Sequence, residues 1–229
     1  MKLVVLNGSP RGTGSNTKIL MDAFLEGFTM AAGAVAEAQQ LFLYRDSDDL
    51  LIKSFTENDT IILAFPLYTD SVPGKVKYFL EQMKDLDWLG KRIGIVVQSG
   101  FPEARHTSFI ARYLERLIQR MGAEHIGSVT KGGVEGIQIQ PEKWKARLKD
   151  CFHRLGEGVY RTGTFDPDIL AALRKPWELS PALRRMYRLM SRVGLADFYW
   201  NYNLKKNGTF EQRFDKPYER EHHSLKSSS

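Results

Sequence analysis

Ser9, Arg11, Ser15, Asn16 and Thr17 lie close together, interleaved with Gly8, Pro10, Gly12 and Gly14. Hydroxyls, a guanidinium and flexible main chain at that density can surround an anion. Their setting strengthens the reading. Leu3–Asn7 is a short apolar run of the kind that forms a buried parallel strand, and an apolar helical pattern opens at Lys18. A strand-loop-helix junction aims backbone N–H groups and hydroxyls at the positive end of a helix dipole. The loop therefore reads as a phosphate cradle, with simple helix capping by Ser15 or Asn16 as the plainer alternative. Spacing excludes other cradles. No Gly-Lys-Ser/Thr follows Gly8, and Gly12-Thr-Gly14-Ser-Asn-Thr17 copies only part of the dinucleotide fingerprint. The loop has no cysteine, which excludes a phosphatase that works through a thiolate.

Two further loops carry ligand-type residues. Pro66-Leu67-Tyr68-Thr69-Asp70-Ser71-Val72-Pro73-Gly74 begins and ends with helix- and strand-breaking residues. Tyr68 can offer a ring face to a planar ligand there, and the amides of Thr69–Val72 can reach its edge; packing of Tyr68 on its own loop is the alternative. Ser99-Gly100-Phe101-Pro102 is a tight turn with exposed main chain and one aromatic, or a bare strand-to-helix connection. His106 beyond it reads as a solvated residue at the next helix start rather than a substrate contact.

The elements that must hold these loops alternate. Strands are expected at Leu3–Asn7, Gln40–Tyr44, Thr60–Phe65, Arg92–Val97 and His125–Val129. Helices are expected at Lys18–Ala32, Asp48–Phe55, Lys75–Leu86, Phe109–Met121 and Glu142–Tyr160, with Gly33 suiting the first stop. Alternation of this kind predicts an α/β fold: a doubly wound five-stranded parallel sheet joined by right-handed crossovers. Ligands on such sheets bind beyond the carboxyl ends of the strands, which is where all three loops fall.

Composition bounds the rest. The 229 residues carry 42% hydrophobic content and no apolar run long enough to span a membrane. Lys2 leads straight into a strand, so no signal peptide is expected, and the lone Cys151 excludes an internal disulfide or a cysteine-cluster metal site. A cytoplasmic protein is expected. The charge is uneven: 19 Lys+Arg face 18 Asp+Glu in residues 1–150, whereas 14 face 9 in residues 151–229.

With three loops converging on one sheet edge, the chain resembles the flavodoxin-like NAD(P)H-dependent FMN reductase family over roughly residues 1–150. The matching residues are Asn7-Gly8-Ser9-Pro10-Arg11 with Ser15-Asn16-Thr17, Phe65-Pro66-Leu67-Tyr68 with Ser71-Val72-Pro73-Gly74-Lys75, and Gln98-Ser99-Gly100-Phe101. The resemblance implies a flavodoxin-like sheet of strand order 2-1-3-4-5 and FMN as cofactor, with its phosphate at Ser9, Arg11, Ser15, Asn16 and Thr17. It also implies the isoalloxazine ring along Pro66, Leu67, Tyr68, Thr69 and Ser71, and its far edge at Ser99, Gly100 and Phe101. NADPH or NADH would be the electron donor; flavin N5 takes the hydride, so no catalytic acid/base dyad is required. One branch of the wider family binds an iron–sulfur cluster through closely spaced cysteines, and Cys151 alone cannot supply that motif.

Residues 1–163 are thus expected to form the flavodoxin-like domain, 164–216 a basic helical and aromatic extension, and 217–229 a disordered polar tail. Within the extension, Ala182–Val193 is a basic amphipathic helix with Arg184, Arg185, Arg188 and Arg192 around Leu183, Met186, Tyr187, Leu189, Met190 and Val193. It could bind an anionic membrane surface, but packing of its apolar face on the domain or on a second subunit is favoured. Phe198, Tyr199, Trp200 and Tyr202 follow, and Trp200 and Tyr202 could close a pocket in a homodimer. No nucleic-acid-binding motif accompanies the charge. The expected activity is an FMN-dependent NAD(P)H oxidoreductase passing electrons to a small acceptor such as a quinone or flavin. The alternative is a flavodoxin-like electron carrier or redox sensor reduced by a protein partner.

Overall fold

The computed structural model describes residues 1–192, 194 and 198–216. Val193, expected in the basic helix, and the tail from 217 lie outside the described residues, as do the side chains of Phe198 and Tyr199. Five parallel strands form one sheet in the order β2-β1-β3-β4-β5: β1 (Lys2–Asn7), β2 (Glu37–Phe42), β3 (Thr60–Pro66), β4 (Arg92–Gln98) and β5 (Glu124–Lys131). The expected doubly wound fold and strand order are both present. Helices α1 (Asn16–Ala32), α2 (Asp48–Glu57), α3 (Gly74–Gln82), α4 (Arg105–Arg120) and α5 (Glu142–Thr162) supply the crossovers and the closing element.

Strand side chains alternate between two buried layers. Val4 and Leu6 join Leu63, Phe65, Phe55, Val76, Phe79 and Leu114 beneath α2, α3 and α4. Leu3 and Val5 join Ile62, Leu20, Phe24, Phe152 and Leu155 beneath α1 and α5. Burying each such Leu or Phe contributes about 1.5–3 kcal/mol, so burial on both faces holds the sheet against its helices. Helices α1 and α5 approach to backbone contact at two glycines. A Cβ on Gly27 would stand 1.9 Å from the His153 carbonyl oxygen, and one on Gly156 would stand 1.9 Å from that of Phe24.

Several boundaries differ from the sequence expectation, among them the end of α3, which stops at Gln82 before a 3-10 turn over Met83–Asp85 rather than reaching Leu86. Strand β2 runs over Glu37–Phe42 rather than Gln40–Tyr44. It is an edge strand with an alternating, half-exposed start, so its first residues are polar and the apolar Leu-Phe-Leu run marks only its end. Helix α4 starts at Arg105, ahead of Phe109, because its first amides are capped from far along the chain. Ala104 N–H donates to Pro176 O (3.0 Å) and Arg105 N–H to Trp177 O (3.2 Å).

The first compact unit extends to Glu178. Beyond Gly163 the chain forms α6 (Pro167–Leu173), started by Asp166, whose carboxylate accepts from Asp168 N–H (2.8 Å) and Ile169 N–H (3.2 Å). Pro167 occupies the first turn, where it needs no N–H partner. Phe165, Ile169 and Leu173 are buried in the α1/α5 layer, so residues 164–178 pack with the sheet. From α6 the segment 174–178 passes the outer edge of β5 to reach the start of α4 on the opposite face. A second unit begins at Leu179 and contains α7 (Pro181–Arg192) and α8 (Phe198–Lys206). On α7, Leu183, Met186, Tyr187 and Leu189 are exposed. No helix among the described residues is long and apolar enough to cross a membrane.

Candidate functional site

The first loop is organised by β1's last residue. Asn7 Oδ1 accepts the Ser9 N–H (3.0 Å), while its buried Nδ2 has no partner. The chain then makes a short 3-10 turn, with Gly12 N–H on Ser9 O (3.0 Å) and Ser15 N–H on Gly12 O (3.2 Å). Ser15 caps α1 by accepting the Lys18 N–H (3.1 Å). Asn16 Nδ2 donates to Val134 O (3.0 Å), and the Thr17 hydroxyl accepts from Gln98 Nε2 (3.4 Å). Ser9, Ser15, Asn16 and Thr17 are all buried. Capping by Ser15 leaves other donors over: the Asn16 and Thr17 amides belong to the first-turn set that no intrahelical carbonyl can reach.

Arg11 reaches across the mouth of the loop. Its Nη2 donates to both carboxylate oxygens of Glu135, at 2.8 and 3.1 Å. Burial disfavours the guanidinium charge, but hydrogen bonds to Glu135 and Tyr68 outweigh that penalty and raise its pKa.

The second loop leaves β3 through Pro66. Leu67 sends its side chain into the core and its N–H to Gln98 O (2.7 Å), so it forms floor rather than wall. Tyr68 is 41% exposed. Thr69 and Asp70 both have left-handed backbone (φ 46° and 58°), and Ser71 N–H closes the turn on Tyr68 O (3.2 Å). A β-branched residue in that region is strained. Ser71 therefore returns beside Tyr68, with which it forms an isolated antiparallel bridge.

The third loop is pinned to a fourth that the sequence reading did not single out, residues 132–138 after β5. Ser99 N–H donates to Lys131 O (2.9 Å), Val134 N–H to Ser99 O (3.0 Å) and Gly133 N–H to Phe101 O (2.7 Å). Contact is close enough that a Cβ on Gly132 would fall 2.5 Å from Pro102 O. Gly100 lies under Glu135, whose Cβ would be 3.0 Å from a Cβ there. Phe101 is 60% exposed and its ring lies 4.9 Å from that of His106, which sits in α4 with Nε2 3.4 Å from Glu103. The fourth loop also supports the first: Gln138 Nε2 donates to Gly14 O (3.2 Å) and to Asn16 Oδ1 (3.3 Å). Its signal was available, since Gly132-Gly133-Val134-Glu135-Gly136 directly follows a strand.

The structure thus gathers Ser9, Arg11, Ser15, Asn16 and Thr17 at the end of β1, and Pro66, Leu67, Tyr68, Thr69 and Ser71 at the end of β3. Ser99, Gly100 and Phe101 stand at the end of β4, so all three groups share one edge of three adjacent strands. Hydroxyls and helix-start amides at one end, with exposed aromatic rings at the neighbouring ends, suit a molecule that is anionic at one terminus and flat at the other.

Residues 1–157 match the Flavodoxin_2 family model, described as a flavodoxin-like fold. An iron-sulfur flavoprotein of Archaeoglobus fulgidus is 26% identical over 225 residues, covering 87% of this chain and 97% of that protein. An FMN-dependent NADH-azoreductase from Bacillus anthracis, solved with FMN, superposes with a TM-score of 0.56 at 15% identity, over 70% of this chain and all of that one. An NAD(P)H:quinone oxidoreductase from Methanothermobacter marburgensis gives 0.52 at 14% identity, covering 69% of this chain and 96% of that one.

Proposed function

The chain belongs to the family of flavodoxin-like fold proteins, and from that premise we propose that it is an FMN-dependent NAD(P)H oxidoreductase delivering electrons to a small acceptor such as a quinone or flavin. The observation that carries the reading is the single edge shared by the loops after β1, β3 and β4. The named relatives that bind FMN, use nicotinamide or reduce quinones support it.

The residues present fit the cofactor. A dianionic phosphate needs amide donors, hydroxyls and a cation; the start of α1, Ser9, Ser15, Thr17 and Arg11 provide them. The orphaned Asn7 Nδ2 adds a buried donor at the same strand end. Tyr68 and Phe101 offer exposed rings from adjacent strand ends, and the main chain of 66–71 and 99–101 can meet the edges of a flat ring. Bound FMN would supply hydride acceptance from nicotinamide and electron delivery to the acceptor. The protein's task is to hold the phosphate, orient the ring and keep one of its faces open for donor and acceptor. Arg11 must exchange Glu135 for the phosphate to take part. Cys151 is the chain's single cysteine, so the four-thiolate cluster common to iron–sulfur proteins has no ligand set here. The proposal includes a cytoplasmic homodimer.

The test is an absorption spectrum after incubation with FMN and desalting, repeated on adding NADPH and then NADH. A retained flavin spectrum that bleaches supports the oxidoreductase. Retained flavin that only a partner reductase can bleach points instead to an electron carrier, and a folded protein that retains no flavin overturns both readings.

A further inference from the structure

Away from the loops, α4, β5 and the segment 174–178 border a groove of about 500 Å³, within the range of small-ligand sites. Two aromatic side chains line it, Phe109 from α4 and Trp177 from the segment, and both are largely exposed. A guanidinium lies over each ring: Arg112 at 5.0 Å from the Phe109 centroid and Arg174 at 5.9 Å from that of Trp177.

The other charges lining the groove have partners. Arg105 is paired with Glu178, and Glu115 faces His125 Nδ1 at 3.7 Å. On β5, Ser128 and Thr130 are two residues apart and share a face. Ser128 Oγ meets His125 Nε2 at 2.8 Å. Thr130 differs: it is 3% exposed, and its buried hydroxyl has no hydrogen-bond partner. Folded proteins seldom leave such a group unpaired without a reason.

We propose that this groove is a second binding site, for a small aromatic monocarboxylate. Arg112 and Arg174 donate to its carboxylate, Phe109 and Trp177 cover its flat body, and Thr130 supplies a further hydrogen bond. Two features select this chemistry. A bare inorganic anion would leave both rings in water. The three guanidiniums of Arg105, Arg112 and Arg174 exceed the carboxylates of Glu115 and Glu178 by one positive charge, which a single carboxylate balances. The site does not depend on whether the loops at the strand ends hold a flavin.

The test is calorimetric titration of the full chain with benzoate, against acetate and inorganic phosphate at matched ionic strength, with and without FMN. Saturable benzoate binding is expected, unaffected by FMN, with acetate and phosphate at least tenfold weaker. Thr130→Val, which replaces the unpaired hydroxyl with a methyl, should weaken benzoate about fivefold while leaving thermal stability equal or higher. Arg112→Gln and Arg174→Gln should each weaken it about tenfold. The proposal is overturned by an absence of saturable binding, by phosphate or acetate binding as well as benzoate, or by competition with FMN. It is also overturned if all three variants bind unchanged, or if sedimentation shows a dimer that Phe109→Glu dissociates, which would mean a second copy covers the groove.

Discussion

Arg11 Nη2 and Glu135 Oε2 meet at 2.8 Å, tying the loop after the first strand to the loop after the fifth. The pair holds a cation at the mouth of the proposed phosphate site and opposes it with a carboxylate. Both side chains are partly exposed, so the pairing is worth less than its geometry suggests. Glu135→Gln should therefore release Arg11 and tighten FMN severalfold, leaving riboflavin, which lacks the phosphate, unchanged. Arg11→Gln should weaken FMN about tenfold, in line with one charge-assisted hydrogen bond. Flavin fluorescence quenching measures both; a parallel change for riboflavin would contradict the assignment.

The left-handed pair Thr69–Asp70 stores strain beside Tyr68. Replacing Thr69 with glycine removes a β-branched side chain from a region it adopts at a cost of about 1–2 kcal/mol, offset by about 0.5–1 kcal/mol of glycine entropy. Urea denaturation should show a gain of up to about 1 kcal/mol. A loss of stability would mean that the Thr69 side chain makes contacts worth more than the strain.

Helix α5 offers a paired comparison. Gly156→Ala forces a methyl into the Phe24 carbonyl and should cost about 3 kcal/mol, the upper end for overpacking, because backbone rather than side chain must move. Gly158→Ala meets nothing nearer than Thr164 O at 3.8 Å and should stabilise the same helix by about 0.5–1 kcal/mol. Chemical denaturation of the two variants separates packing from propensity.

His125 sets a pH dependence. Burial lowers its pKa below the usual histidine range, with Glu115 pulling the other way. Its folded pKa thus lies below the unfolded value of about 6.5, so the unfolded chain binds the extra proton first. Its contribution is complete above that pH and declines as the pH falls through it. His125→Gln should flatten the slope of stability below about pH 6.5, read as the difference between wild-type and variant melting curves.

The strands were legible because Leu3–Asn7, Thr60–Phe65 and Arg92–Val97 are interior and predominantly apolar; their order followed from the family resemblance of the loops, not from the runs. The first loop was legible because hydroxyls and glycines followed such a run. Features that depend on distant chain were not. The start of α4 is fixed by carbonyls of Pro176 and Trp177, and nothing near Arg105 announces them. Strand β2 was displaced because an edge strand shows water half of its side chains. The extension was expected to begin at residue 164, whereas Asp166-Pro167 starts a helix that Phe165, Ile169 and Leu173 anchor in the core. Arg11 was read as a ligand cation, but no local pattern could reveal Glu135 as its neighbour.

The glycine contact between α1 and α5 also orders events in time. The helix whose first turn belongs to the proposed anion cradle packs against a helix near the far end of the domain in sequence. A nascent chain can assemble β1, β3 and β4 while α1 still has no α5 to lock against. The proposed phosphate loop would therefore be set on a docked helix only late in synthesis, and a chain interrupted before Gly156 would present it on an undocked one.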